Sequence, residues 1–117
     1  MDKYRHIIVY IAGPFRAPSN WGIAKNVRAA EEVAFGLWED FTVICPHLNT
    51  INFQGGYPDE VWLEGDLEIL KRCDAVFVLP TWAESRGAIG EIELARRAGI
   101  PVFDSVVTLL EWAKEQE

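Results

Sequence analysis

The sequence predicts an α/β fold, a three-layer sandwich built on a parallel sheet of about four strands. Three observations carry that expectation. Short apolar runs, Ile7 to Ala12, Phe41 to Cys45, Ala75 to Leu79 and Ile100 to Phe103, have the composition of strands covered on both faces. Longer stretches with apolar residues at helical spacing separate them. Each run ends in a proline, a glycine or a polar turn, so strand and helix alternate along the chain.

The first strand, Ile7 to Ala12, stops at Gly13-Pro14. Beyond a loop through Pro18, Ser19 or Asn20 caps a helix with apolar positions Ile23, Val27, Ala30, Ala34 and Leu37, running to about Asp40. Phe41 to Cys45 forms the second strand. Pro46 then opens a polar, glycine-containing loop from His47 to Tyr57, long for a compact domain and expected to line a ligand site. Pro58-Asp59-Glu60 starts the next helix, which carries Leu63, Leu67 and Leu70 on one stripe and ends near Arg72. Asp74 precedes the third strand, Ala75 to Leu79, and a turn from Thr81 to Arg86 leads into a helix from about Gly87 to Ala98, closed by Gly99. Ile100 to Phe103 supplies the fourth strand and Val106 to Glu117 a last amphipathic helix. Right-handed crossovers give the order 2-1-3-4, a flavodoxin- or Rossmann-like arrangement. Such sheets bind ligands at the carboxyl ends of their strands beside the switch point, here between strands one and three. Loops 13–19, 46–57 and 80–87 meet there.

A chain of 117 residues suits one domain, taken as residues 1–117. The formal net charge of −7, with no basic run, argues against nucleic-acid binding, while leaving room for a small anion held by local donors. Cys45 and Cys73 lack a CxxC spacing and read as reduced thiols, so neither a metal site nor a cofactor is expected. The apolar run from His6 to Ala12 is too short for a membrane span or a secretory signal, which places the protein in the cytoplasm without a membrane partner.

Glu91 falls just inside the predicted helix that follows the third strand, where the helix dipole and free N–H groups favour an ionised, nucleophilic carboxylate. A solvated first-turn Glu is the plainer reading. Ser85, Gly87 and Gly90 shift the balance, because they let backbone approach a ligand at a helix start. Asp66 lies in mid-helix, an unfavourable place for Asp, so it is either exposed or placed to act. Trp62 on the same side reads first as a packing residue, and also as a ring able to lie against a nucleobase. His47 reads as a hydrogen-bonding loop residue before a general base, and Arg16 as a solvated cation or an anion clamp. The phosphate loops GxGxxG and GxxxxGK[ST] are absent from the sequence, which disfavours dinucleotide dehydrogenases and P-loop NTPases.

The blocks YIAGPFR, GDLEILKRCDAVFVLP and SRGAIGEIELARRAGIPVF, in that order, resemble the nucleoside 2-deoxyribosyltransferase superfamily from Tyr10 to Phe103. Within it the chain resembles the branch containing 2′-deoxynucleoside 5′-monophosphate N-glycosidases and uncharacterised bacterial and phage proteins. The resemblance implies that Glu91, followed four residues later by Ala95, is the nucleophile, and that Asp66, eight residues before Asp74, assists the leaving base. It also implies a substrate-binding set of Tyr10, Gly13, Phe15, Arg16, His47, Trp62, Ser85 and Gly87. The resembled enzymes use no cofactor and assemble at least as homodimers whose neighbouring chain closes the pocket.

The implied chemistry answers a physical need. Breaking an N-glycosidic bond builds positive charge on the sugar, which a carboxylate beneath C1′ stabilises and captures. The departing base needs a proton or hydrogen bond, which a carboxylic acid of raised pKa supplies. Water or a second base then resolves the glycosyl-enzyme, giving hydrolysis or transfer. Ser85 stands where the resembled nucleoside transferases have Asp, and a hydroxyl favours a 5′-monophosphate where a carboxylate repels it. The first loop departs from the phosphate-binding pattern: it lacks the extra Ser and Gly, and Phe15 suits packing on a base or sugar. The alternative function is a non-catalytic nucleotide-binding or sensing domain of the same fold.

Overall fold

The computed structural model describes residues 3–116. Four parallel strands form one sheet in the order β2-β1-β3-β4, with β1 at Tyr4–Ala12, β2 at Phe41–Ile44, β3 at Ala75–Val78 and β4 at Val102–Phe103. Register pairs Tyr10 of β1 with Ile44 on one side and Val76 on the other, and Val76 in turn with Val102. The predicted order is the observed one.

Side chains alternate across the sheet and build two apolar layers. On one face Val9, Ile11 and Phe77 pack with Ala30, Ala34 and Leu37 of α1, Asn20–Leu37, and with Leu109 and Ala113 of α5, Val106–Glu115. On the other, Tyr10, Ala12, Val76 and Val78 pack with Leu70 of α3, Asp59–Leu70, and with Ile92 and Ala95 of α4, Arg86–Arg97. The small residues Ala30, Ala34 and Ala95 let the helices lie close to the strands, which is why the central strands are all but sealed from water.

The ends of several elements differ from the sequence expectation. β1 begins at Tyr4, three residues early, because Arg5 donates to the carbonyls of Trp38, Glu39 and Phe41 and ties the strand to the β2 approach; the pairing with β2 is irregular between Tyr4 and Ile8. α1 stops at Leu37, and the N–H groups of Glu39 and Asp40 turn back to Gly36 and Leu37. β3 and β4 are shorter than expected, although Leu79 still donates to Ala12 at 2.9 Å. Residues 46–57 are not an open loop: Pro46 starts the short helix α2, Pro46–Asn49, followed by a 3-10 turn at Ile51–Phe53. A proline needs no N–H partner in a first helical turn, which explains why a strand-ending residue also begins a helix. Gly55, at φ +86°, then reverses the chain in a conformation other residues adopt at a cost. The expected last helix ends at Glu115, and Glu117 lies outside the described residues. No helix among the described residues is long and apolar enough to cross a membrane.

Candidate active site

At the carboxyl ends of β1, β2 and β3 the chain leaves a cavity of about 440 Å³. Gly13 to Arg16 form one wall, Pro46 and His47 with Thr50 and Gln54 a second, and Trp62, Leu63 and Asp66 of α3 a third. The first turns of α4, from Ser85 to Glu91, complete it. Gly13, His47 and Ser85, each just past the end of a different strand, therefore share one cavity. The catalytic and substrate-binding residues implied by the resemblance line it except Tyr10, which lies behind Glu91. Gly90, read with Ser85 and Gly87 as a point of ligand approach, does not line it.

The helix start places Glu91. Ser85 caps α4, its Oγ accepting from the N–H of Ala88 at 3.1 Å, so Arg86 is the first helical residue and Glu91 lies in the second turn. This corrects the expectation of a carboxylate bathed in first-turn N–H groups: those end at the third or fourth helical residue. Glu91 is instead only 8 % exposed, and Tyr10 donates its hydroxyl to Oε2. Burial pushes the Glu91 carboxyl up to about 8; the Tyr10 hydrogen bond works against this, and the nearby Asp66 charge adds to it. Tyr10 itself is driven well above its ordinary value, first by burial and then by the adjacent Glu91.

Asp66 sits one turn beyond Trp62 on the pocket face of α3, half-buried rather than solvated, and burial raises it to about 6. Two carboxyls with raised but unequal proton affinities thus face one cavity, the arrangement by which one acts as base or nucleophile and the other as acid. Asp74, which marks the start of β3, stands apart: its carboxylate accepts the N–H of Ile8 at 2.8 Å and serves the sheet.

His47 is 7 % exposed, and its Nε2 lies 2.9 Å from the carbonyl of Pro14. Burial lowers its proton affinity, so the neutral ring donates to Pro14 and pins the first loop to the end of β2. Phe15 meets His47 edge-on at 6.1 Å. Arg16 is exposed but engaged: it pairs with Asp59, takes Gln54 as an acceptor, and places its guanidinium 5.2 Å from the Phe15 ring. That bridge spans the cavity mouth. Trp62 both lines the cavity and packs on Phe53 and Tyr57, with ring centres at 6.0 and 5.8 Å.

Several lining residues escape a reading of the sequence. Asp59 and Gln54 become part of the site only through Arg16, a partnership across 43 and 38 positions that no local pattern encodes. Arg86 had a signal: it follows the Ser85 cap and occupies the first helical position. Gly13 is required by space, because a Cβ there would stand 2.4 Å from Leu79 Cδ1. Among the described residues no group of three or more His, Cys, Asp or Glu side chains is gathered as a metal would need.

In fold this chain is similar to a solved 2-deoxyribosyltransferase from the psychrotolerant bacterium Bacillus psychrosaccharolyticus. The two align with a TM-score of 0.58 at 24% identity, over 88% of this chain and 78% of that one. The likeness establishes the fold. By sequence the chain belongs to the family described as Domain of unknown function (DUF4406), whose model matches residues 7–104. No curated protein matches it.

Proposed function

We propose that this chain, as a single deoxyribosyltransferase-like domain in the cytoplasm, cleaves the N-glycosidic bond of a nucleoside or its 5′-monophosphate. The observation that carries this reading is that Glu91 and Asp66 line one cavity, with Tyr10 behind the first. Ionised Glu91 attacks C1′ as the C–N bond breaks, and the electron pair leaves with the base. Asp66 gives that base a proton or hydrogen bond. Water or a second base then releases the sugar from Glu91.

Burial raises the Glu91 carboxyl to about 8, which favours its protonated form at neutral pH. The positive charge growing on the sugar favours the carboxylate, and the Tyr10 hydroxyl is already aimed at it. Burial thus keeps the nucleophile unsolvated without preventing its ionisation in the transition state. Support from a known protein comes from the aligned enzyme, itself a 2-deoxyribosyltransferase described as a biocatalyst for nucleoside synthesis.

The 5′-monophosphate is favoured over the free nucleoside by the start of α4. The N–H groups of Arg86 and Gly87 have no intrahelical acceptor, and Ser85, whose oxygen already accepts from Ala88, keeps its proton to donate. Arg86 is at hand as a cation, whereas Arg16 is engaged by Asp59.

Incubation with a panel of nucleosides and 5′-monophosphates, reading free base by chromatography for wild type and Glu91→Gln, tests the proposal. Base release by wild type with at least about 100-fold loss in the variant is expected. Ligand binding without base release would leave the non-catalytic reading, and equal turnover by both proteins would remove Glu91 from the chemistry.

A further inference from the structure

Two residues of α1 are out of place by helix propensity. Glycine and asparagine are poor helix formers, yet Gly22 and Asn26 stand four positions apart within Asn20–Leu37 and so share one face. That face meets the first loop. The Nδ2 amino group of Asn26 donates to the carbonyl of Phe15 at 3.1 Å and to that of Arg16 at 3.4 Å. A carbonyl only accepts, so the amide nitrogen and not Oδ1 must face the pair. At Gly22 a Cβ would stand 2.7 Å from the Cβ of Ala17, an atom bonded directly to the backbone, so a side chain there would push the loop itself away.

No residue of α1 lines the cavity, whereas Phe15 and Arg16 both do. We propose that the face of α1 bearing Gly22 and Asn26 is the seat of the first loop, and that Asn26 is a positioning residue that holds Phe15 and Arg16 at the cavity for a ligand. This rests on the reading of that cavity as the substrate site. Between the end of β1 and the start of α1 the loop has no secondary structure of its own, and Pro14 and Pro18 supply no N–H to build any. Its carbonyls are taken by side chains instead. Pro14 is held by Nε2 of His47 at 2.9 Å, and Phe15 and Arg16 by Asn26.

Three consecutive carbonyls fixed from two helices leave the backbone little freedom, and with it the two side chains. Phe15 is set edge-on against His47, and Arg16 reaches Asp59 and Gln54. A loop free to drift would have to be ordered at each binding event, and the entropy of that ordering lowers affinity. Asn26 therefore acts on binding rather than on bond breaking. Glu91 and Asp66 are carried by α4 and α3, which pack on the opposite face of the sheet from α1, so their aim does not depend on the seat.

Steady-state kinetics on the nucleoside or 5′-monophosphate that releases base, together with NMR order parameters of the loop amides without ligand, test this. Asn26→Ala removes both donors and is the better helix former, so it is expected to keep its melting temperature, raise KM at least about 5-fold and leave kcat within about 2-fold. Asn26→Asp keeps the shape but turns an acceptor toward the carbonyls, and should raise KM at least as far. In a Phe15→Ala, Arg16→Ala background the effect of Asn26→Ala should shrink below about 2-fold, as for a residue that acts through those two. The order parameters of Phe15, Arg16 and Ala17 should fall from about 0.85 toward about 0.6 in Asn26→Ala, whatever reaction the protein performs. Unchanged order parameters would overturn the proposal, as would an unchanged KM or a full effect in the double-alanine background. Wild type that releases no base would count against the reaction alone, and the order parameters would still decide whether Asn26 holds the loop.

Discussion

Tyr10 of β1 donates its hydroxyl to Glu91 of α4, so the central strand and the helix lying across it are joined by a hydrogen bond in the cavity wall. That bond pulls the Glu91 proton affinity down against the larger effect of burial. Tyr10→Phe removes the donor without changing shape. The Glu91 carboxyl should then titrate above about 8, by as much as about one unit, equivalent to about 1.4 kcal/mol. A carboxyl-carbon NMR titration of Glu91 reads this directly, and an unchanged midpoint would contradict it.

If Glu91 acts ionised and Asp66 acts protonated, the active form requires the two groups in the reverse of their resting order, about 8 and about 6. The profile of kcat/KM should be a bell with limbs near pH 6 and pH 8 and a maximum near 7, falling about tenfold per unit beyond either limb. A profile flat from pH 5 to 9 would exclude this proton arrangement.

The same burial makes a prediction for stability. Glu91 binds its proton more tightly in the folded protein, at about 8, than in the unfolded chain, where the ordinary carboxyl value of 4.5 applies. Between those values the native state holds more protons than the unfolded chain, so stability falls as pH rises through this window and is fully retained only below it. Asp66, raised from 3.8 to about 6, acts in the same direction over a lower window. Glu91→Gln should therefore gain on wild type from pH 5 to pH 8, by up to roughly 4 kcal/mol. Denaturant unfolding at both pH values checks the sign, and a gap that does not widen would refute it.

Ser85 can be divided into its two roles by substitution. Ser85→Ala removes the cap on Ala88 and should lower stability by about 1 kcal/mol, whereas Ser85→Asp keeps a capping oxygen and should fold as well as wild type. Yet Ser85→Asp should weaken 5′-monophosphate binding at least about 10-fold more than nucleoside binding, through like-charge repulsion. Calorimetric titration with both ligands decides this, since equal losses would place the phosphate elsewhere.

Gly13→Ala would set a methyl group within 2.4 to 2.8 Å of the Leu79 side chain. We expect a loss of about 1–3 kcal/mol from overpacking, and partial recovery when Leu79→Ala is added. Additive losses in thermal unfolding would show that the two side chains do not compete for space.

Sheet order was legible because four apolar runs, none longer than a strand, alternate with helical spacing, and because Gly13-Pro14, Pro46 and Pro80 punctuate them. The convergence of Gly13, His47 and Ser85 followed from that order alone. What escaped was set by contacts between distant positions. The early start of β1 depends on Arg5 reaching the carbonyls near β2, and the bridge of Arg16 to Asp59 depends on a folded α3. The ionisation of Glu91 depends on tertiary packing that no helix-start pattern encodes: as the sixth residue of α4 it lies past the free N–H groups and in the packed wall.

The two apolar layers have unequal consequences for the molecule's capacity to change. The layer beneath α1 and α5 touches neither carboxyl, so variation at Ala30, Leu37 or Leu109 is registered chiefly as folded population. The layer beneath α3 and α4 carries Asp66 and Glu91 on its own helices, and a shift of Leu70, Ile92 or Ala95 by a fraction of an ångström re-aims them. Under the proposed reaction, selection for heat tolerance can therefore draw on the first layer while leaving the two carboxyls in place, whereas a change in the second moves them. One small sheet thus offers two largely independent directions of adaptation, one on each face.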